Sequence, residues 1–102
     1  LLQKKDENLS KRILITAMKD KSWAIRNTAL LVVEYLSNEE RTSVYSKIKE
    51  LALKDGNSQV RASAVEILGK YYRSMDNRDV FASTARDKSL AVKKATADAS
   101  EK

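Results

Sequence analysis

The sequence predicts an all-α domain, a right-handed solenoid of three helix pairs running through residues 1–102. Three observations predict it. Proline is absent and glycine occurs twice, while the strong helix formers Lys, Glu, Ala, Leu and Arg abound. A short phrase recurs three times at nearly constant spacing. Between recurrences the apolar residues fall on one helical stripe. A chain of this length supports one domain, burying roughly 65% of the surface its unfolded form exposes.

The phrase Asp20-Lys-Ser-Trp-Ala-Ile25-Arg26-Asn-Thr-Ala29 returns as Asp55-Gly-Asn-Ser-Gln-Val60-Arg61-Ala-Ser-Ala64 and as Asp87-Lys-Ser-Leu-Ala-Val92-Lys93-Lys-Ala-Thr96. In each, the acid precedes the base by six residues and a β-branched residue stands just before the base. The intervals are 35 and 32 residues, the period of a helical-repeat architecture in which each pair buries its apolar face against a neighbour.

The elements follow in order. A helix at about 8–19 carries Leu9, Ile13, Leu14 and Ala17. A second, at 23–36, carries Ile25, Ala29, Val32, Val33 and Leu36, spaced i, i+4, i+7, i+8, i+11. Ser22 is its expected cap and Trp23 its first residue, with a core or staple role. Ser37-Asn-Glu-Glu40 is a capping box opening a third helix at 38–54, whose inward residues are Val44, Ile48, Leu51 and Ala52. The tripeptide Asp55-Gly56-Asn57 is a turn, with Gly56 expected at positive φ and Asn57 as cap. The fourth helix, 58–73, repeats the second: Val60, Ala64, Ile67, Leu68 and Tyr71. The fifth, 77–86, holds Val80, Phe81 and Ala85, and the sixth, 90–100, is capped by Ser89. In that last helix Thr96, Ala99 and Ser100 replace aliphatic residues, the fading expected where a final repeat meets water. The pairs are therefore 8–36, 38–73 and 77–100. Leu1, Leu2, Leu9, Ile13 and Leu14 put more apolar surface at the front than an exposed cap wants. With no initiator Met, the chain reads as a C-terminal piece of a longer protein. Tyr35, Tyr45, Tyr71 and Tyr72 are expected between helices with hydroxyls toward water.

Composition removes most catalysis. Without His or Cys there is no Ser-His-Asp or Cys-His nucleophile, no disulfide and no imidazole or thiolate zinc site. Glu39, Glu40, Asp76 and Asp79 stand at helix starts, where negative charge is favoured anyway. The longest uncharged apolar stretch, Ala29–Val33, is broken by Glu34, so no segment is long enough to span a membrane. The compartment cannot be read.

The recurring acids and bases point to packing. Asp20, Asp55 and Asp87 fall at turns, and Arg26, Arg61 and Lys93 can reach them within or between repeats as a ladder that sets the stacking. A solenoid needs the same link in each repeat, whereas an active site does not. Lys19, Lys21, Lys54, Arg86 and Lys88 flank the acids and would line one edge. A phosphate-binding ridge is one reading of that edge. Cations favouring helix C-termini are the simpler one, because acids adjoin each base and no aromatics interleave. A nucleic-acid partner is accordingly not expected, and Lys93-Lys94 reads as a solvated helix face.

The phrases Ala17-Met-Lys-Asp20…Ile25-Arg26…Ala29 and Leu51-Ala-Leu-Lys-Asp55…Val60-Arg61…Ala64-Val-Glu-Ile-Leu68 resemble HEAT-type repeats over nearly the whole chain. A finer resemblance is to the C-terminal repeat region of bacterial gluzincin (alanyl-aminopeptidase-like) zinc aminopeptidases. It is carried by Met18-Lys-Asp-Lys-Ser-Trp23-Ala-Ile-Arg26 and Leu51-Ala-Leu-Lys-Asp55-Gly-Asn-Ser-Gln-Val-Arg61-Ala-Ser-Ala64. That family's zinc ligands lie in a His-Glu-x-x-His region upstream of the repeats, so no catalytic, metal or cofactor residue transfers to this chain. The resemblance implies zinc in the parent enzyme and none here. It further implies a non-catalytic bowl that walls the substrate cavity, contacts peptide there and packs on the preceding domain. A stand-alone HEAT scaffold for protein partners, and a nucleic-acid module using the basic edge, are the alternatives.

Overall fold

Three helices start where a polar side chain takes up free backbone N–H groups, at Ser37, Asn57 and Ser89. A computed structural model describes residues 4–101, with side chains from residue 9 onward. Among them are six α-helices and no strand: α1 Lys4–Met18, α2 Trp23–Val32, α3 Asn38–Lys54, α4 Ser58–Tyr71, α5 Arg78–Thr84 and α6 Leu90–Ser100. Leu1 and Leu2, expected to add to the apolar front, lie outside the described residues.

Four helix ends fall two residues or more from expectation, among them that of α4, which stops at Tyr71 rather than 73, and two of the four do so for visible reasons. The last turn expected of α2 is a 3₁₀ turn, Val33–Tyr35. Arg41 reaches back from α3, donating from Nε to the Val33 carbonyl (3.1 Å) and from Nη2 to that of Glu34 (2.7 Å). Those carbonyls are thereby satisfied without a further helical turn. After Thr84, the N–H groups of Arg86 and Asp87 bond to the carbonyls of Ser83 and Thr84, tightening the end of α5 before residue 86. α1 starts at Lys4, ahead of the expected residue 8.

The caps sort clearly. Ser37 and Glu40 form both halves of the capping box, Asn57 accepts from the N–H groups of Gln59 and Val60, and Ser89 accepts from Val92. Ser22 occupies the N-cap position of α2 but makes no side-chain cap bond. Gly56 does not adopt positive φ. The turn is closed instead by Asp55, whose Oδ1 accepts from the Asn57 N–H at 2.9 Å.

The helices lie in two rows. α1 contacts α3 and α3 contacts α5; α2 contacts α4 and α4 contacts α6; the rows join through α1·α2, α3·α4 and α5·α6. Principal extents of 41 × 30 × 17 Å are those of a slab about two helices thick. Its centre is aliphatic: Met18, Leu30, Val33, Val44, Ile48, Val60, Val65, Leu68 and Val92 are wholly buried. Gly69 sits where α4 meets α6. A Cβ there would stand 2.5 Å from the Cβ of Ala99, so the helices approach only because the side chain is missing.

The stripe of α6 does not fade into water at Thr96. That residue is buried, its Oγ1 bonded to Thr84 Oγ1 at 2.7 Å and to the Val92 carbonyl at 2.9 Å, so a polar pair replaces an aliphatic contact inside. Trp23 is exposed and takes no core position, Tyr35 projects into solvent, and Ala85 faces outward. Tyr72 is buried, so its hydroxyl does not reach water, contrary to expectation. No described helix is long and apolar enough to cross a membrane.

Candidate functional site

The most ordered polar structure is built from the repeated acids and bases. Arg26, in the first turn of α2, reaches out of its own pair. Its Nε donates to Asp55 Oδ2 at 2.7 Å and its Nη2 to Asp55 Oδ1 at 2.9 Å, while Nη1 donates to the Asp20 carbonyl at 2.8 Å. Arg61 repeats this one pair later, with Nε and Nη2 on Asp87 at 2.8 and 3.0 Å and Nη1 on the Asp55 carbonyl at 2.8 Å. Each arginine thus ties the turn of its own pair to the carboxylate of the next. The planar fork suits both oxygens at once, which a lysine ammonium cannot do.

These rungs are shielded. The Asp55 side chain is 3% exposed and that of Arg26 17%. Hydrogen bonding to Asp55 raises the pKa of Arg26, and bonding to Asp87 raises that of Arg61. Burial pushes the Asp55 carboxyl up, but the Arg26 hydrogen bond, the Asn57 N–H and the two arginine charges together hold it below its ordinary value. Arg61 likewise holds Asp87 below the usual range, against burial. Elsewhere ion pairs such as Arg78–Asp76 and Lys94–Asp98 are open to water and contribute little.

The ladder has two open ends. Lys93, at the position of the arginines, is exposed and makes no ion pair among the described residues. Asp20, at the position of Asp55 and Asp87, accepts from the Ser22 N–H at 2.8 Å, as Asp55 does from Asn57 and Asp87 from Ser89. No guanidinium pairs with its carboxylate among the described residues.

Beside Asp20 the outer side of α1 and α2 is apolar and uncovered: Leu9, Ile13, Ile25 and Val32 are all exposed. Ile13, Ile25 and Val32 border an open groove of about 390 Å³, floored by Leu14, Ala17 and Ala29. The stripe expected to be uniformly inward therefore divides, with Ala29 and Val33 buried and Ile25 and Val32 outside.

Lys19, Lys21, Lys54, Arg86 and Lys88 are exposed around the turns that the ladder joins. Glu50 sits among them: hydrogen bonding to Lys47 foremost, then the charges of Lys54 and Lys19, lower its pKa. The edge is mixed in sign rather than a basic ridge. Glu39, Glu40 and Asp79 lie in first turns of helices, and no three described acids gather as a metal site.

Two polar clusters carried no repeat signal. Asn77, buried, donates from Nδ2 to the Tyr72 carbonyl and accepts from the Tyr45 hydroxyl at 2.7 Å, while the Tyr72 hydroxyl donates to the Arg41 carbonyl at 2.7 Å. Burial pushes the Tyr72 phenol up to about 12. Arg41 also lies over the ring of Tyr71, 4.5 Å from its centroid. A base four residues after a cap can reach the preceding helix end, a local cue that marks Arg41. Asn77 has no such cue, since its partners are about 30 residues away or across a turn.

Compared with known proteins, the chain matches no family model, no curated protein and no solved structure.

Proposed function

We propose that the chain is a non-catalytic helical-repeat scaffold, a right-handed solenoid of three HEAT-like pairs that binds a neighbouring protein element through the outer side of α1 and α2. The observation carrying this is the uncovered apolar side itself. Ile13, Ile25 and Val32 form one groove, whose floor residue Ala17 accepts from the Asp20 N–H, and exposed apolar surface of that kind marks contact sites. The polar interior supports it too, since the buried ionic groups are committed to packing bonds.

In its finer form the reading makes this scaffold the C-terminal domain of a zinc aminopeptidase of the gluzincin type. The zinc and its ligands reside in the parent's upstream catalytic domain, the apolar groove packs on the domain before it, and other surfaces wall the substrate cavity and contact peptide. That form rests on the repeat phrases around Asp20–Arg26 and Asp55–Arg61. The sequence of the encoding gene tests it. A His-Glu-x-x-His motif with a downstream glutamate, some hundreds of residues upstream, is the expected finding. An open reading frame lacking it would leave a scaffold for some other partner.

A further inference from the structure

The front of the first helix pair duplicates a face that the chain covers elsewhere. Moved by the 35-residue period, Leu9, Ile13, Ile25 and Val32 become Val44, Ile48, Val60 and Ile67. The first four are 53, 62, 45 and 40% exposed; the second four are 1, 0, 0 and 7% exposed. What lies against the second set's helices is the first helix pair, α1 on α3 and α2 on α4. The polar half of the joint is duplicated as well. Asp20, Asp55 and Asp87 carry the same turn hydrogen bond, and the latter two each receive an arginine fork from the preceding pair. Asp20 is oriented in the same way and receives none.

We infer that this face docks another helix pair of the same repeat type, which sets an arginine on Asp20 through two parallel N–H···O bonds and an aliphatic helix side in the Ile13–Ile25–Val32 groove. The inference rests on the scaffold reading and names the chemistry of its partner. Charge and shape together select that partner: the carboxylate calls for a planar cation, and the groove for branched aliphatic chains at helical spacing. A second copy of this chain fits poorly. Ala62, Val65 and Gly69 share the side of α4 whose Gly69 meets α6. Their counterparts 32 residues on are Lys94, Ala97 and Glu101, and the rung residue is Lys93 rather than arginine.

The test duplicates residues 1–35 directly in front of Leu1. This keeps the period and places the copy's arginine 29 residues before Asp20, the separation of Arg26 from Asp55. The extended chain is expected to gain helix, to unfold in one transition and to melt higher than the 102-residue chain. Within it, Asp20→Asn and Arg→Ala at the copied position should each lower the midpoint by about 4–8 °C. Combining them should cost no more than either alone. In the 102-residue chain Asp20→Asn should shift the midpoint by about 1 °C or less. The chain holds no cysteine, so Ile13→Cys supplies a unique thiol, whose labelling should slow about tenfold or more once a pair covers it. Two separate transitions, equal Asp20→Asn shifts in both chains, or unchanged thiol labelling would each overturn the inference. So would a concentration-dependent dimer of the 102-residue chain abolished by Ile13→Glu, which would make the occupant a second copy. A gene without the zinc motif removes the aminopeptidase reading and leaves this joint standing, so the two failures are separable.

Discussion

The first and second helix pairs are built on one pattern, yet their outer sides have opposite fates. In the second pair Ile48 and Val60 are buried and Asp55 takes the Arg26 fork of the first; in the first pair Ile13 and Ile25 are exposed and Asp20 takes no fork. The difference teaches that a repeat phrase specifies a surface, while its burial depends on whether a neighbour arrives. Identical chemistry therefore carries very different energetic weight at the two sites.

The comparison can be pressed hardest in the core. Ile48→Ala, at a wholly buried site, should cost about 2–5 kcal/mol, whereas Ile13→Ala should cost less than about 1 kcal/mol. Equal losses in chemical denaturation would mean that the front is covered in solution. Next come the rungs. Asp55→Ala strands the Arg26 guanidinium and should cost about 3 kcal/mol, against about 0.5 kcal/mol or less for Asp20→Ala, which loses only a turn bond. Gly69→Ala should cost about 1–3 kcal/mol by forcing α6 away, and Glu34→Ala, at the corresponding exposed position of the first pair, nearly nothing. Thermal unfolding of the two variants side by side would show it.

The smallest effects are those of pH. The folded-state pKa values of Asp55 and Asp87 lie below the ordinary 3.8, so their stabilisation is complete above that value and is lost as pH falls through the lower folded values. Asp55→Asn should flatten the acid limb of a stability–pH curve. At the other extreme Tyr72 rises from 10.0 to about 12, so its contribution is full below pH 10 and fades as pH climbs through 12. Tyr72→Phe should remove that alkaline decline while leaving Arg41's carbonyl short of a donor, at about 1 kcal/mol. Parallel melts across acid and alkaline buffers test both limbs.

How much of this was legible in the chain follows the same division. Helix positions, the Ser37 capping box and the acid–base pairs are local, set by spacing within a few turns, and α3 matches its expected limits residue for residue. The direction of the rungs was not legible. Asp20 lies six residues from Arg26 and Asp55 lies 29 away, and only the stacking of helices makes the distant carboxylate the partner. Burial failed for the same reason: Ile25 and Val60 occupy one phase of one stripe, yet one is outside and the other inside. Thr96 looked like a concession to water because a hydroxyl reads as polar. Its partner Thr84 comes from the neighbouring helix, and the pair satisfies itself indoors. The expected positive φ at Gly56 gave way because the Asp55 side chain closes that turn without it.

Each rung arginine has one foot in its own turn and the other in the next, which gives the domain a direction along which cooperativity is transmitted. The middle pair is held by two such bridges and each outer pair by one. Opening should then start at the ends and travel inward, as a row of coupled elements frays, with amide exchange slowest in α4 and faster in α1 and α6. Adding a bridge at Asp20 would move the point of greatest rigidity toward the front of the row without altering a residue of its present centre.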